Sequence, residues 1–131
     1  MKNLLFALTV GFAAASTAEE ASQRLFLFVG EPNAAAWKLL IDNPQNRQQA
    51  AERITERLGG KVLSYHFGLG NGKNYIIVSL PDDNTLVQAM YVARLGDNLL
   101  KSYTVTELLT GEQMAASLKR VQSVKKADEL P

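Results

Sequence analysis

The stretch that decides the fold is Lys61 to Leu80, KVLSYHFGLGNGKNYIIVSL. Two runs rich in Val, Ile, Tyr and Phe, Lys61 to Gly68 and Tyr75 to Leu80, flank the segment Leu69 to Asn74. Asn71-Gly72 favours the positive φ of a tight reversal, so the reading is a β-hairpin of two adjacent strands. Upstream, Arg24 to Gly30 (RLFLFVG) is a short apolar run ending at Gly, which reads as a buried strand. Between it and the hairpin, Pro32-Asn33 opens a helix with Trp37, Leu40 and Ile41 at i, i+3, i+4, stopped by Asn43-Pro44. A second helix, Asn46 to Leu58, carries Ala50, Ala51, Ile54 and Leu58 on one side and ends at Gly59-Gly60.

Downstream, Pro81-Asp82-Asp83-Asn84 supplies a cap for a helix with Leu86, Val87, Met90, Tyr91, Arg94 and Leu95 at helical spacing. Gly96-Asp97-Asn98 ends it. The fourth strand lies within Leu99 to Leu109, centred on Tyr103 to Thr106. Thr110, with Gln113 three residues on, starts a last helix whose apolar side is Met114, Leu118 and Val121. The order, with the first helix split in two, is βαββαβ plus a C-terminal helix. The fold class is therefore α+β, a ferredoxin-like antiparallel sheet with helices on one face. Strands one and three read apolar throughout, which implies burial on both faces of the sheet. The chain supplies helices for one face only, so a homodimer is the economical cover for the other.

The chain divides into an export signal at 1–18, one domain at 24–122 and a polar tail at 123–131. Met1 to Ala18 (MKNLLFALTVGFAAASTA) has a positive start at Lys2, an apolar run too short to span a membrane, and small residues before a cut after Ala18. An alternative cut follows Ala15. The expectation is a periplasmic or secreted protein with no stable membrane insertion after cleavage. The mature length of about 113 residues suffices for one core. Composition then removes whole classes of function. There is no Cys, so there are no disulfides, thiolate metal sites or Cys nucleophiles, and a single His leaves no multi-histidine metal site in one chain. A formal charge of +1 and no basic patch interleaved with aromatics argue against nucleic acid as a partner. No metal and no cofactor is expected.

From Leu25 to Val121 the chain resembles the GYD-domain family of the dimeric α+β barrel superfamily. The resemblance rests on Glu31 to Arg47 with its Asn43-Pro44-Gln45-Asn46-Arg47 ending, on Leu58-Gly59-Gly60-Lys61, on Gly70, on Pro81-Asp82-Asp83, and on Leu108-Leu109-Thr110 before a helix. The family's Gly-x-Tyr-Asp segment falls on Gly70-Asn71-Gly72-Lys73. The Gly is kept, whereas Gly72 and Lys73 stand where the family has Tyr and Asp. The resemblance implies a dimeric barrel and carries no assigned activity.

Residues able to carry chemistry are sparse. His66 is the one side chain that titrates near neutrality unperturbed, and it is the weak catalytic candidate. By strict alternation Val62, Ser64 and His66 share one sheet face, and Leu63, Tyr65 and Phe67 the other. Trp37, His66, Tyr75 and Tyr91 are the candidate ligand-binding residues, with Tyr65 and Tyr103 as further aromatics able to line a pocket. Arg47 follows Asn-Pro and is able to meet an anion or to cap a helix. Asp82-Asp83 suits a helix start. The leading reading is a homodimeric binding module for a small, partly apolar ligand or a protein partner. The alternatives are a cofactor-independent isomerase or monooxygenase with His66 as acid-base group, and a purely structural assembly unit.

Overall fold

A computed structural model describes residues 23–129. The expected export signal, either cleavage site and the last two residues of the polar tail lie outside the described residues. Eight elements follow in order. They are β1 (Gln23–Pro32), α1 (Ala34–Asp42), α2 (Arg47–Arg57), β2 (Lys61–Phe67), β3 (Asn74–Pro81), α3 (Asn84–Leu95), β4 (Leu100–Leu108) and α4 (Gly111–Asp128). The strands form one sheet in the order β2-β3-β1-β4, and every neighbouring pair is antiparallel. This is the expected α+β, ferredoxin-like plan. Among the described residues no helix is long and apolar enough to cross a membrane.

Capping chemistry sets the helix boundaries. The side chains of Asn33, Asn46, Asp83 and Thr110 each accept a backbone N–H from the first turn of their helix. At α4 the Gln113 side chain returns the bond to the Thr110 N–H at 2.8 Å, completing a capping box. Gly59 closes α2 at φ +86°, where a Cβ would be strained.

Alternation along β1 and β3 sends Phe26, Phe28, Val78 and Leu80 under the helices, where they are almost wholly buried. Val62, Ile76, Tyr103 and Val105 from the sheet and Val87 and Met90 from α3 pack around them. Each such side chain contributes roughly 1.5–3 kcal/mol of transfer free energy. Leu25, Leu27 and Val29 of β1 and Tyr75 and Ile77 of β3 point the other way. They are only half-buried, and none of the described helices that pack on the sheet lies over them. At one end of the sheet Arg24 closes the helix side. Its guanidinium donates to Glu107 at 2.6 Å, to Asp82 at 3.1 Å and to Asn84 at 2.7 Å, and lies 5.2 Å from the Phe26 ring centre. The hydrogen bond from Arg24 holds the Glu107 carboxyl below its usual range.

Four expectations need correction. β1 runs through Pro32, so α1 starts at Ala34 and not at the proline. Strict alternation fails in β2: Val62 pairs with Val78 and Ser64 with Ile77, so Leu63 is bulged out. Val62 therefore joins Tyr65 and Phe67 on the helix side, while Ser64 and His66 keep the open face. Ile41, placed on the packing stripe of the first helix, is 72% exposed, whereas Ala36 is the buried residue there. The polar tail expected from Ser123 is helical as far as Asp128, because Ser123 to Asp128 contains neither Gly nor Pro to stop α4.

Candidate functional site

Between the helix-covered side of the sheet and the α1–α2 pair lies a cavity of about 440 Å³. Its origin is local. The sheet-facing positions of α1 and α2 carry Ala36 and Ala51, too small to fill the space above β2 and β3. The break at Asn43-Pro44 then splits what would be one long helix into two short ones. Leu39, Leu40, Ile54, Phe67, Ile76 and Leu100 make the apolar lining. The volume and the lining are those of a small-molecule site.

The polar groups of the cavity come from three places. The α1–α2 connection brings Asn43, Gln45 and Arg47, all exposed. Arg94 and Asp97 come from the end of α3 and form an ion pair at 3.1 Å. Asn74 and Tyr103 rise from the sheet. Asn74 Oδ1 accepts the Gly30 N–H at 3.0 Å, so its amide NH₂ remains a donor. Burial pushes the Tyr103 phenol up to about 12, against the opposing pull of Arg94. At neutral pH it is a protonated O–H, a donor and no base. Arg47 donates to the neutral Gln45 Oε1 at 3.4 Å, and among the described residues it pairs with no carboxylate.

The residues expected to bind ligand do not converge. Trp37 and Tyr91 each stand one ring behind the cavity. Trp37 lies 6.1 Å from the lining Phe67, and Tyr91 lies 5.6 Å from the lining Tyr103. Tyr91 also borders a more open hollow along α3 and β4. His66 and Tyr75 are register partners on the opposite, helix-free face. There the His66 ring lies 3.5 Å from Ser64 Oγ, and Tyr75 Oη accepts from Asn71 Nδ2 at 2.7 Å. Sequence reasoning did single out Tyr65, Tyr103 and Arg47. It missed Arg94, Asp97 and Asn74, whose relevance depends on β1, β3 and the end of α3 meeting in space. The paired small residues Ala36 and Ala51 are the one signal that would have located the cavity.

The hairpin turn also departs from a simple two-residue reversal. Gly70 and Gly72 both hold positive φ, +108° and +67°, and the Trp37 ring lies 3.8 Å from where a Gly72 Cβ would sit. Among the described residues no group of three or more His, Asp or Glu side chains is placed to hold a metal ion.

A model of the GYD domain matches residues 26–118. No curated protein and no solved structure matches the chain.

Proposed function

The chain belongs to the GYD-domain family, and from that premise we propose that it is an exported, homodimeric binding module for a small, partly apolar ligand. The observation that carries the ligand reading is the cavity of about 440 Å³ under α1 and α2, with its apolar walls and few polar groups. The dimer reading is supported by two uncovered surfaces in one chain. One is the helix-free sheet face of Leu25, Leu27, Val29 and Ile77. The other is the stripe Met114, Leu118, Val121 and Val124 on α4, whose residues are all exposed. A second copy covers the sheet face without touching the cavity, which opens on the other side of the sheet. Export rests on the Met1 to Ala18 sequence alone. His66, on the open face and outside the cavity, belongs to the dimer interface in this reading and not to a catalytic pocket.

Native mass spectrometry of the protein taken gently from its host tests all three parts together. The expected spectrum is a dimer, cut after Ala18, carrying a discrete small mass. A monomer at concentrations on the order of tens of micromolar overturns the dimer. An intact N-terminus on cytosolic protein overturns export.

A further inference from the structure

The cavity is not neutral. Of the charged residues that line it, Arg47 and Arg94 are cationic and Asp97 is anionic. Asp97 is already committed to Arg94 at 3.1 Å. One positive charge is left over, and it sits on Arg47, which among the described residues donates to the neutral Gln45 at a long 3.4 Å and pairs with no carboxylate. Asn43 and Gln45 are amides that both donate and accept, but the two polar groups that rise from the sheet are biased the same way as Arg47. The Asn74 carbonyl oxygen is occupied by the Gly30 N–H, which leaves its NH₂ to donate. The Tyr103 hydroxyl is a protonated donor throughout the physiological range. One unmatched cation beside the donors of Asn74 and Tyr103, in a cavity whose walls are mostly aliphatic and aromatic, calls for an acceptor group on an apolar body.

We infer that the cavity takes a small monocarboxylate, its apolar body against Leu39, Leu40, Ile54 and Ile76 and its carboxylate at Arg47. This rests on reading the cavity as a ligand site and adds the chemical class of what fills it. A carboxylate accepts two hydrogen bonds in the fork geometry that a guanidinium offers. An alcohol of the same length buries the same apolar surface without neutralising Arg47. The preference for acid over alcohol therefore isolates the head group from the body.

The test uses the sole tryptophan as reporter, since Trp37 packs 6.1 Å from the lining Phe67, with calorimetry as a second readout. The purified protein is titrated with hexanoate, octanoate, decanoate and benzoate, each against its corresponding alcohol. The expected result is roughly tenfold tighter binding of the best acid than of its alcohol. That preference shrinks as salt is raised and disappears in Arg47→Gln. Arg47 is exposed and carries no structural ion pair, so the variant keeps the fold. An unchanged circular dichroism spectrum and unfolding midpoint of the variant serve as the control for its fold. Equal affinity for acid and alcohol overturns the carboxylate inference and leaves the apolar-ligand reading standing. Binding of neither overturns both. An acid preference that survives in Arg47→Gln overturns the assignment of the head group to Arg47.

Discussion

The two faces of the sheet are built from the same strands with the same alternation, yet they end in different conditions. On the helix side Phe26, Phe28 and Val78 are 3% exposed and Leu80 is fully buried. One residue along each strand, Leu27, Val29 and Ile77 are comparably apolar but only half-buried. The period of two decides which residues travel together. It does not decide what covers them. The covered face is itself uneven. Beneath α3 the large residues Val87 and Met90 pack on the core and leave a shallow, open hollow along β4, whereas beneath α1 and α2 Ala36 and Ala51 leave a deeper cavity. The pattern can thus set the fold while the cavity within it depends on which few positions carry small side chains.

The largest effects should fall on the covered face. Leu80→Ala is expected to lower unfolding stability by about 2–5 kcal/mol, because it removes buried methyl groups and leaves a void in close packing. Denaturant titration should show this loss independently of protein concentration. Leu27→Asp, on the opposite face, should instead abolish the proposed dimer in sedimentation while the monomer still unfolds cooperatively. If Leu27→Asp unfolds the protein as deeply as Leu80→Ala does, the two faces are not distinct in the way argued here.

Tyr103 gives a sharper probe of the boundary between core and cavity. Its phenol is pushed from an ordinary 10.0 up to about 12 by burial. The folded state therefore holds this proton more tightly than the unfolded chain does. The associated stability is intact below pH 10 and is lost as pH rises toward 12, a decline of about 2–3 kcal/mol. Equilibrium unfolding across that window, compared with Tyr103→Phe, checks it: the variant should lack this component of the alkaline decline.

The smallest effect is local. Thr110→Ala removes the capping box of α4 and should cost that helix about 0.5–2 kcal/mol. All residues of α4 are exposed. Hydrogen exchange should accordingly quicken within α4 while the sheet amides and the global melting temperature of the sheet and its covering helices stay unchanged. A global loss of stability would show that α4 is packed against a partner, as its exposed apolar stripe would be in the proposed dimer.

Most of the fold was legible because it depends on local signals. The hairpin follows from its turn glycines, and the capped helices follow from Asn33, Asn46, Asp83 and Thr110. The bulge at Leu63 was not legible. Nothing in KVLSYHF marks which residue steps out of the ladder, and the register is set by the partner strand β3. That single irregularity moved Val62 to the core side. The site was less legible than the fold. Aromatic residues drew attention as pocket-forming, but Trp37 and Tyr91 back the wall and do not line it, while His66 and Tyr75 occupy the other face. A side chain's chemistry is local, whereas its membership of a cavity depends on the elements packed opposite.

The element order, the helix caps, the antiparallel α+β plan and the exclusion of thiolate and multi-histidine chemistry follow from residue type and spacing along the chain. The bulge, the cavity left beneath Ala36 and Ala51, and the gathering of Arg47, Arg94, Asn74 and Tyr103 around it arise from packing between elements. These residues come from the start of α2, the end of α3 and two strands, and only the closure of the sheet under its helices brings such distant segments around one cavity.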